Sequence, residues 1–485
     1  MHIVFASSEC VPFVKTGGLA DVVGALPPEL VKLGHQVTVY LPFYRQIRME
    51  FPEPNYKIRS ITIPFQFYNR FVGVVDGGKI DGVQFYFLEC PELFDRESLY
   101  AVPEGDYPDN WERFGLFSRA VIEASKQLGV PQVFHVHDWQ SAMVSVYLRT
   151  LYYFDPVFQK AGTVITIHNA AYQGRFDPQT TERLLFPWDM FTPEKVEHYD
   201  SFNFLKGGLV YSDFLTTVSR KYADEIKTPE FGESLEGIFQ TRASDLSGIL
   251  NGVDYAMWNP ATDQHIAAQY TPENLAGKTE CRMDLLRLFG LEEIAPTTPI
   301  LGIVSRFATQ KGFDLLSEIA PQLEKRDLVL LAIGTGEIYY EDFFRDLAER
   351  YPRQVSVKIT YDETLAHKVE AGSDIFLMPS RYEPCGLNQI YSLKYGTVPV
   401  VRATGGLDDT IEEWDRKTGT GTGFKFDSLL PEDFLAAIDR ALTVFKDKKT
   451  WQKIMRNGMA KSHNWSGPAK EYSAIYERVA KLRSK

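Results

Sequence analysis

Short apolar runs, each followed by a helical pattern, recur along both halves of this 485-residue chain. Largely apolar runs of this length are typical of parallel strands, because helices cover both faces of a parallel sheet. In the first half these runs are HIVFASS (2–8), QVTVYLP (36–42), VFHVH (133–137), TVITIH (163–168) and FLTTVS (214–219). In the second half they are PILGIVS (299–305), LVLLAIG (328–334), VSVKIT (355–360), DIFLMPS (374–380) and VPVVRA (398–403). The pattern therefore predicts an α/β fold with two parallel sheets.

The length of the chain accommodates two domains of roughly 200 residues each. The segment from Asn251 to Asp263 is rich in turn-forming residues and poor in periodicity, so it predicts the connection between them. From about Trp465 the sequence again has a helical pattern. We predict a Rossmann-like domain over 1–246, a linker over 247–262, a second Rossmann-like domain over 263–463 and a final helix over 464–485.

Charge and cysteine content argue against several classes of protein. The formal net charge is −12, whereas phosphate backbones call for clustered Lys and Arg. No stretch approaches the length of about 18 apolar residues that a membrane span requires, and the first residues resemble a strand and not a signal or transit peptide. The four cysteines are far apart and predict neither a disulfide framework nor a zinc site. We therefore expect a cytoplasmic protein that binds neither nucleic acid nor membranes; no pattern specifies an oligomeric state.

Two Gly-Gly loops, KTGGLAD (15–21) and TGGLDD (404–409), enter helical patterns in the two halves. Backbone N–H groups at such a loop can approach an anion closely, and a helix N-terminus favours negative charge. One such loop in each half of the chain predicts that a ligand is held in a cleft between the two halves. The alternative for the first loop is a tight turn with an exposed lysine. The runs GTG (334–336) and GTGTG (419–423) do not complete G-x-G-x-x-G, which argues against a nicotinamide or flavin enzyme.

Polar residues follow two strands of the first half. His168 and Asn169 come after TVITI, and Asp138 follows VFHVH. Ligands of open α/β sheets gather at the carboxyl ends of strands, so these residues are candidates for a site. The alternatives are a histidine satisfied by a neighbouring carbonyl and an aspartate that caps the next helix.

Two cations, Arg306 and Lys311, flank the loop after PILGIVS in the second half. Cations at this position would neutralise a leaving diphosphate group. The alternative is a solvated loop with surface charges. No Asp-x-Asp pair occurs in the chain, so cationic side chains are better candidates for this task than a metal ion.

The segment EPCGL (383–387) lies between the strand DIFLMPS and a helical pattern. Pro384 disfavours helix at Glu383, and Gly386 lets the next helix begin close to a ligand. The helix amides would face phosphate, while the carboxylate would face the cationic carbon of an oxocarbenium-like transition state. Cys385 has no neighbouring base in sequence, which argues against a nucleophilic thiol.

Seven segments carry these residues, and their order along the chain is part of the pattern. They are E-x-x-P-x-x-KTGGLADV (9–22), HDW (137–139), HNAAYQG (168–174), NGVD (251–254), SRFATQKG (305–312), PSRYEPCGLNQ (379–389) and TGGLDDT (404–410). With this ordered set, the chain resembles the bacterial glycogen synthases and plant starch synthases. The resemblance implies a GT-B fold, in which two Rossmann-like domains face each other across a deep cleft and the last helix packs back on the first domain.

The same resemblance implies an activity and its partners. It implies transfer of glucose, with retention of configuration, from ADP-glucose to the non-reducing end of an α-1,4-glucan such as glycogen or a malto-oligosaccharide. No cofactor and no essential metal are expected. Front-face attack is implied, with the leaving phosphate helping to deprotonate the acceptor hydroxyl, so Glu383 is expected to position groups and stabilise charge and not to act as a nucleophile.

Carried over residue by residue, the resemblance implies three sets of site residues. The catalytic set is Glu383, His168, Arg306 and Lys311. The donor-binding set is Lys15, Gly18, Asn251, Tyr361, Cys385, Gly386, Leu387, Thr404, Gly405 and Gly406, with Tyr361 stacking on the nucleotide base. The set for the sugar and acceptor is Asp21, Asp138 and Asn169.

Two positions depart from the family pattern, and two other functions are compatible with the fold. Ser234 replaces an expected glycine and Ala170 a commonly larger apolar residue. The first alternative function is a GT-B transferase that uses UDP-glucose, since stacking on Tyr361 does not discriminate between bases. The second is a non-catalytic glucan-binding or initiation partner, against which the presence of Lys15, Lys311 and Glu383 argues.

Overall fold

The structure, a computed structural model, describes residues 1–102 and 105–484, and its chain packs as two compact units. The first unit contains Met1–Val218, Ala223–Asn251 and the chain from Trp465 onward, and the second contains Ser219–Tyr222 and Gly252–Asn464. The sequence analysis instead placed 219–222 in the first domain and 247–262 in a separate linker. Lys485, the last residue of the predicted final helix, lies outside the described residues.

The elements up to Gly248 include both strands and helices. In chain order they are β1 (His2–Ala6), α1 (Gly18–Lys32), β2 (Gln36–Pro42), α2 (Arg45–Glu50), β3 (Tyr56–Pro64), β4 (Asn69–Ile80), β5 (Val83–Glu89), α3 (Pro91–Phe94), β6 (Ala101–Val102), β7 (Gly105–Asp106), α4 (Asn110–Leu128), β8 (Val133–His137), α5 (Asp138–Arg149), β9 (Gly162–Ile167), β10 (Arg175–Phe176), α6 (Thr180–Arg183), β11 (Glu197–His198), β12 (Ser201–Asn203), α7 (Phe204–Tyr211), β13 (Phe214–Thr217), α8 (Arg220–Glu225), α9 (Glu236–Thr241) and β14 (Leu246–Gly248).

The main sheet of the first unit has the strand order β14-β13-β9-β8-β1-β2-β5-β4-β3 among the described residues. From β14 to β5 neighbouring strands are parallel, as the buried apolar runs predict. At the other edge β3, β4 and β5 pair antiparallel, which the sequence analysis did not anticipate. Short turns join these three strands, and β3 alternates between exposed and buried residues as a half-solvated edge strand does.

The final helix completes the first unit and packs against β8, β9 and α1. It buries Ala469, Tyr472, Tyr476 and Val479, whose spacing places them on one face. At Gly162 of β9 an added Cβ would lie 2.2 Å from Val479 Cγ1, so glycine lets the helix approach the strand. The predicted final helix is thus present, and it belongs to the first unit.

The elements after Gly252 alternate between helices and strands and end in three consecutive helices. They are α10 (Ala276–Leu288), β15 (Ile300–Val304), α11 (Phe313–Leu323), β16 (Val329–Gly334), α12 (Ile338–Arg350), β17 (Val355–Ile359), α13 (Glu363–Gly372), β18 (Ile375–Met378), α14 (Asn388–Tyr395), β19 (Val398–Arg402), α15 (Gly405–Thr410), β20 (Phe424–Phe426), α16 (Pro431–Phe445), α17 (Lys448–Met459) and, within the first unit, α18 (Ser466–Arg483). The second sheet has the order β17-β16-β15-β18-β19-β20 among the described residues, and every neighbouring pair is parallel.

Part of the predicted linker is firmly packed within the second unit. The ring of Trp258 stacks between those of His367, at 3.7 Å, and Tyr391, at 3.9 Å. The buried carboxylate of Asp263 accepts hydrogen bonds from His367 Nδ1 at 2.7 Å and from the Tyr395 hydroxyl at 2.5 Å. This segment is therefore anchored to α13 and α14.

No helix in the described part of the chain combines the length and the apolar character needed to cross a membrane. The cytoplasmic location expected from the sequence stays a prediction.

Candidate functional site

In the first unit, candidate side chains meet at the carboxyl ends of β8 and β9. These strands are adjacent and parallel, with His137 opposite Thr166, so Asp138 and His168 follow at the same edge. Asp138 Oδ1 accepts a hydrogen bond from the backbone N–H of His168 at 2.6 Å, and the carboxylate also accepts from the backbone N–H of Asn169. The structure therefore gives Asp138 a role that the sequence analysis missed, because its carboxylate ties the two strand ends together.

Asp138 has an unfavourable backbone conformation, and its carboxylate is buried. Its φ is +51°, in the left-handed region that non-glycine residues seldom adopt. Burial raises the pKa of its carboxyl to about 7, although the hydrogen bonds from the backbone N–H groups of His168 and Asn169 act in the opposite direction. Such strain and desolvation are typical of residues at functional sites.

The half-buried ring of His168 contacts a second histidine. Its Nε2 lies 3.0 Å from Nδ1 of His137, which is fully buried. Burial lowers the pKa of His168 to about 3, so the imidazole is neutral at neutral pH. This predicted catalytic residue is thus placed to hydrogen-bond a ligand and not to attract an anion by charge.

The loop that carries Lys15 is held by a carboxylate that the sequence analysis did not single out. Glu9 is buried, and its Oε2 accepts hydrogen bonds from the backbone N–H groups of Thr16 and of Gly17, the latter at 3.2 Å. Its Oε1 accepts from the hydroxyls of Thr16 at 2.6 Å and of Tyr100 at 2.5 Å. Two amides expected to approach a phosphate are therefore bonded to Glu9, and the loop is fixed before a ligand arrives.

The remaining surface of this loop is open. A Cβ added at Gly17 or Gly18 would meet no atom within 4 Å, so neither glycine is required by the packing of the protein alone. Lys15 Nζ lies 2.7 Å from Asp21 Oδ1 in a partly exposed ion pair. The two predicted site residues therefore neutralise each other at the N-terminal turn of α1.

We expect Glu9→Ala to raise the KM for the donor roughly tenfold, because charge-assisted bonds to two loop amides are lost. Steady-state kinetics at saturating acceptor measure the change. Tyr100→Phe removes one of the bonds to the same carboxylate and serves as the milder control, with a change below about threefold. An unchanged donor KM in natively folded Glu9→Ala would contradict this role.

In the second unit, the loops after β15, β18 and β19 meet, because these three strands are neighbours in the sheet. Lys311 Nζ on the first loop lies 2.6 Å from Glu383 Oε2 on the second. The same oxygen accepts from the hydroxyl of Ser380 at 3.1 Å. The ion pair is largely shielded, since the Lys311 and Glu383 side chains are 19% and 7% exposed. The structure thus pairs two residues that the sequence analysis selected separately.

The third loop lies directly beneath the second. The backbone N–H of Gly406 donates to the carbonyl of Glu383 at 3.0 Å. A Cβ would lie 1.9 Å from that carbonyl oxygen if it were added at Gly405, and 1.9 Å from the Cys385 carbonyl oxygen if it were added at Gly406. Glycine at both positions is therefore needed to hold Glu383. Leu387 immediately precedes α14, Gly386 adopts φ +67°, and Thr404 is buried at the start of α15.

The other predicted residues are less closely associated. Arg306 is exposed, and its guanidinium donates to Gln310 Oε1 at 3.3 Å. Tyr361 follows β17, the edge strand, and its side chain is 78% exposed. Asn251 follows β14 in the first unit and is buried, and its Oδ1 has no hydrogen-bond partner in the described part of the chain.

The loop that carries Arg306 and Lys311 packs against the GTG run, which the sequence analysis used only to argue against a nicotinamide or flavin enzyme. A Cβ would lie 1.9 Å from the Ser305 carbonyl oxygen at Gly334 and 2.1 Å from the Phe307 carbonyl oxygen at Gly336. The following residue, Glu337, accepts from the backbone N–H and the hydroxyl of Thr309, each at 2.9 Å. Because these partners are 28 residues apart, no local pattern indicates the contact.

Ser234, the first departure from the family pattern, has a φ of +65°, in the left-handed region that favours glycine. Its neighbour Glu233 has a φ of +52°. The Ser234 hydroxyl oxygen lies 3.0 Å from Nε2 of His198. This chain thus adopts a left-handed backbone conformation at position 234 without glycine. Ala170, the second departure, is fully buried.

Residues 1–102 and 105–484 contain no cluster of three or more His, Cys, Asp or Glu side chains placed to hold a metal ion. The expectation that the reaction needs no metal stays a prediction.

Comparisons with known proteins identify the family to which the chain belongs. The family described as starch synthase catalytic domain matches residues 2–241, and the family described as glycosyl transferases group 1 matches residues 289–458. A glycogen synthase of Koribacter versatilis is 57% identical over 484 residues, which cover 100% of this chain and 99% of that protein. The chain belongs to the glycogen synthase family. A member from Bacillus cereus is 43% identical over 99% of this chain and 100% of its own length.

Solved structures support the same family and its fold. The catalytic domain of Starch Synthase IV from Arabidopsis thaliana, bound to ADP and acarbose, matches with a TM-score of 0.88 and 29% identity over 99% of both chains. A sucrose-phosphate synthase from Thermosynechococcus elongatus matches with a TM-score of 0.60 and 16% identity over 99% of both chains, which shows the fold alone. The predictions of a two-domain α/β fold and of a hexosyltransferase of this family are confirmed.

Proposed function

We propose that this protein transfers glucose from ADP-glucose to the non-reducing end of an α-1,4-glucan, with retention of configuration at the anomeric carbon. The observation that carries the proposal is the shielded Lys311–Glu383 ion pair at the carboxyl ends of β15 and β18. It supplies a cation for a leaving diphosphate beside an anion for the sugar carbon that loses it. Membership of the glycogen synthase family supports the choice of donor and acceptor.

The cations of the second unit act on the leaving group. As the bond between the anomeric carbon and the diphosphate oxygen breaks, negative charge develops on that oxygen. Lys311, held by Glu383 and only partly exposed, offers a fixed ammonium group for this charge. Arg306, which is exposed and bonded to Gln310, adds a guanidinium that can bind two phosphate oxygens at once.

The carboxylate of Glu383 stabilises the positive charge that spreads over the anomeric carbon and the ring oxygen. Its Oε2 already accepts bonds from Lys311 and Ser380, which favours a fixed charge over a free nucleophile. Retention then follows from attack on the face that the diphosphate leaves. The acceptor oxygen bonds to the anomeric carbon, the carbon–phosphate oxygen bond breaks, and the acceptor proton passes to a diphosphate oxygen.

The first unit supplies contacts to the donor and to both sugars. Lys15 and Gly18 approach the donor phosphates and glucose, and the open space at Gly18 suits a close backbone approach. His168, neutral and half-buried, hydrogen-bonds the transferred glucose. Asp21 and Asn169 face the sugar and acceptor.

An adenine nucleotide is favoured over a uridine nucleotide because the related Arabidopsis thaliana catalytic domain is bound to ADP. The exposed ring of Tyr361 at the end of β17 suits stacking on the base.

Transfer of labelled glucose into glycogen tests the proposal. We expect incorporation from ADP-glucose to exceed that from UDP-glucose by at least about tenfold, because the related Arabidopsis thaliana domain is bound to an adenine nucleotide. Addition of EDTA is expected to leave the rate unchanged, since the cations that face the diphosphate are side chains. Faster incorporation from UDP-glucose would overturn the donor, and no incorporation from either donor by folded protein would overturn the activity.

A further inference from the structure

The contact between His137 and His168 joins the core of the first unit to its candidate site. Nδ1 of His137 and Nε2 of His168 are 3.0 Å apart, and the two rings are 5.3 Å apart with a tilt of 36°. This is a hydrogen-bond distance, so one of the two nitrogens carries a proton and the other accepts it.

The ring of His137 is buried and packs against two other rings. It is fully buried and stacks on Phe5 at 5.4 Å with an angle of 24° between the planes. The ring of His135 lies 4.2 Å away on the same strand. Because the ring is fully buried and packed against these neighbours, the position of His137 Nδ1 does not depend on a bound ligand.

Both histidines hold a single ring proton at neutral pH. Burial lowers the pKa of His137 well below its usual value and lowers the pKa of His168 to about 3. Each ring therefore has one N–H group and one bare nitrogen. Only one arrangement of these protons can satisfy both rings well.

The other nitrogen of His137 decides between the two arrangements. Its Nε2 is buried and has no hydrogen-bond partner among residues 1–102 and 105–484. An N–H at this position would be a buried donor without an acceptor, which folded proteins avoid more strongly than an unsatisfied acceptor. The proton of His137 therefore lies on Nδ1, and His168 Nε2 accepts it.

We infer that His137 is a positioning residue that holds His168 in the Nδ1–H tautomer, so that His168 offers a neutral N–H donor to the substrate. Because His168 Nε2 is engaged by His137, Nδ1 is the nitrogen left for a ligand. Under the proposed function, on which this assignment of the ligand rests, the acceptor of that hydrogen bond is a hydroxyl oxygen of the transferred glucose. The sequence analysis treated His137 only as part of the motif HDW.

Nitrogen-15 NMR of histidine-labelled protein tests the tautomer directly and without substrate. Long-range proton–nitrogen correlations distinguish a protonated ring nitrogen from a bare one. We expect His168 to show a protonated Nδ1 and a bare Nε2. A proton on His168 Nε2 in the wild-type protein would overturn the inference. The measurement does not depend on catalysis, so it keeps its meaning even if the proposed function fails.

Three variants separate positioning from structural support. His137→Phe keeps a buried ring but removes the hydrogen bond, and we expect kcat to fall roughly 10- to 100-fold while the donor KM changes less than about threefold. His137→Asn restores an N–H donor near the position of Nδ1, and we expect its kcat to recover to within about fivefold of wild type. The His168 signals should lose the single tautomer in the first variant and keep it in the second.

His135→Phe is the matched control, since His135 is a fully buried neighbour on β8 that does not bond His168. Its ring nitrogens instead lie 2.6 Å from the Thr166 hydroxyl and 2.8 Å from the Tyr476 hydroxyl. We expect this variant to lower Tm while leaving kcat within about threefold and the His168 tautomer unchanged. Equal kcat losses in His135→Phe and His137→Phe, without a change of tautomer, would overturn the positioning role.

Discussion

Replacing Glu383 with glutamine is expected to lower kcat on the order of 10³-fold, because the charge that faces the developing cation is removed while the side-chain shape is kept. The carboxylate is held by Lys311 at 2.6 Å and by Ser380 at 3.1 Å, so its position is set before substrate binds. Rapid-quench measurement of labelled glucose transfer at saturating ADP-glucose and glycogen reads the chemical step. The donor KM should change far less than kcat.

Loss of the ion pair also affects stability, and a second variant separates the two effects. Removal of one partner leaves the other charge in a shielded position without compensation. We therefore expect Glu383→Gln to lower Tm, and the double variant Lys311→Met with Glu383→Gln to recover part of that loss while staying inactive. A kcat within about threefold of wild type in Glu383→Gln would contradict the proposed mechanism.

The two Gly-Gly loops are expected to respond in opposite ways to alanine. Gly406→Ala places a Cβ 1.9 Å from the Cys385 carbonyl oxygen, and we expect it to cost about 1–3 kcal/mol of stability or more and to abolish activity. Gly18→Ala meets no atom within 4 Å in the first turn of α1, and we expect the free energy of unfolding to rise by up to about 1 kcal/mol. Its donor affinity should nevertheless fall, because the Cβ lies where the phosphates or glucose approach.

Thermal unfolding and isothermal titration with ADP-glucose distinguish these outcomes. Gly17→Ala, next in the chain and equally open, is the control for general disturbance of the first loop. Donor binding at wild-type strength in Gly18→Ala would remove that loop from the donor site. Native stability in Gly406→Ala would show that the third loop does not support Glu383 as described.

The sequence predicts the parts of this fold that depend on local patterns. The apolar runs predict strands such as β1 and β8, whose residues are buried on both faces of the sheet. The pattern does not predict the antiparallel strands β3 and β4. β3 mixes exposed and buried residues, and it lies at the edge of the sheet, beyond the parallel strands. Strand order is not a local property, so the proximity of Lys311 and Glu383 could be expected from the family resemblance but not from spacing.

The supporting contacts of the site were the hardest to predict. Glu9 belongs to a motif that was recognised, yet its hydrogen bonds to Thr16 and Gly17 depend on how the loop folds back over it. In the sequence His137 is an ordinary strand residue, and only the pairing of β8 with β9 places it beside His168. In both cases the site residue belongs to a motif that the sequence shows. The residue that holds it in place can be identified only from the tertiary structure.

The position of α18 has a consequence for biosynthesis. Tyr472 and Tyr476 are fully buried in the first unit, although they emerge from the ribosome after every residue of the second unit. Until then the surface of β8 and β9 that receives α18 has no cover, and Tyr476 has not yet reached His135. The first unit therefore cannot complete this part of its packing until the end of translation, and a premature stop codon before residue 465 would remove a helix from the unit that is synthesised first.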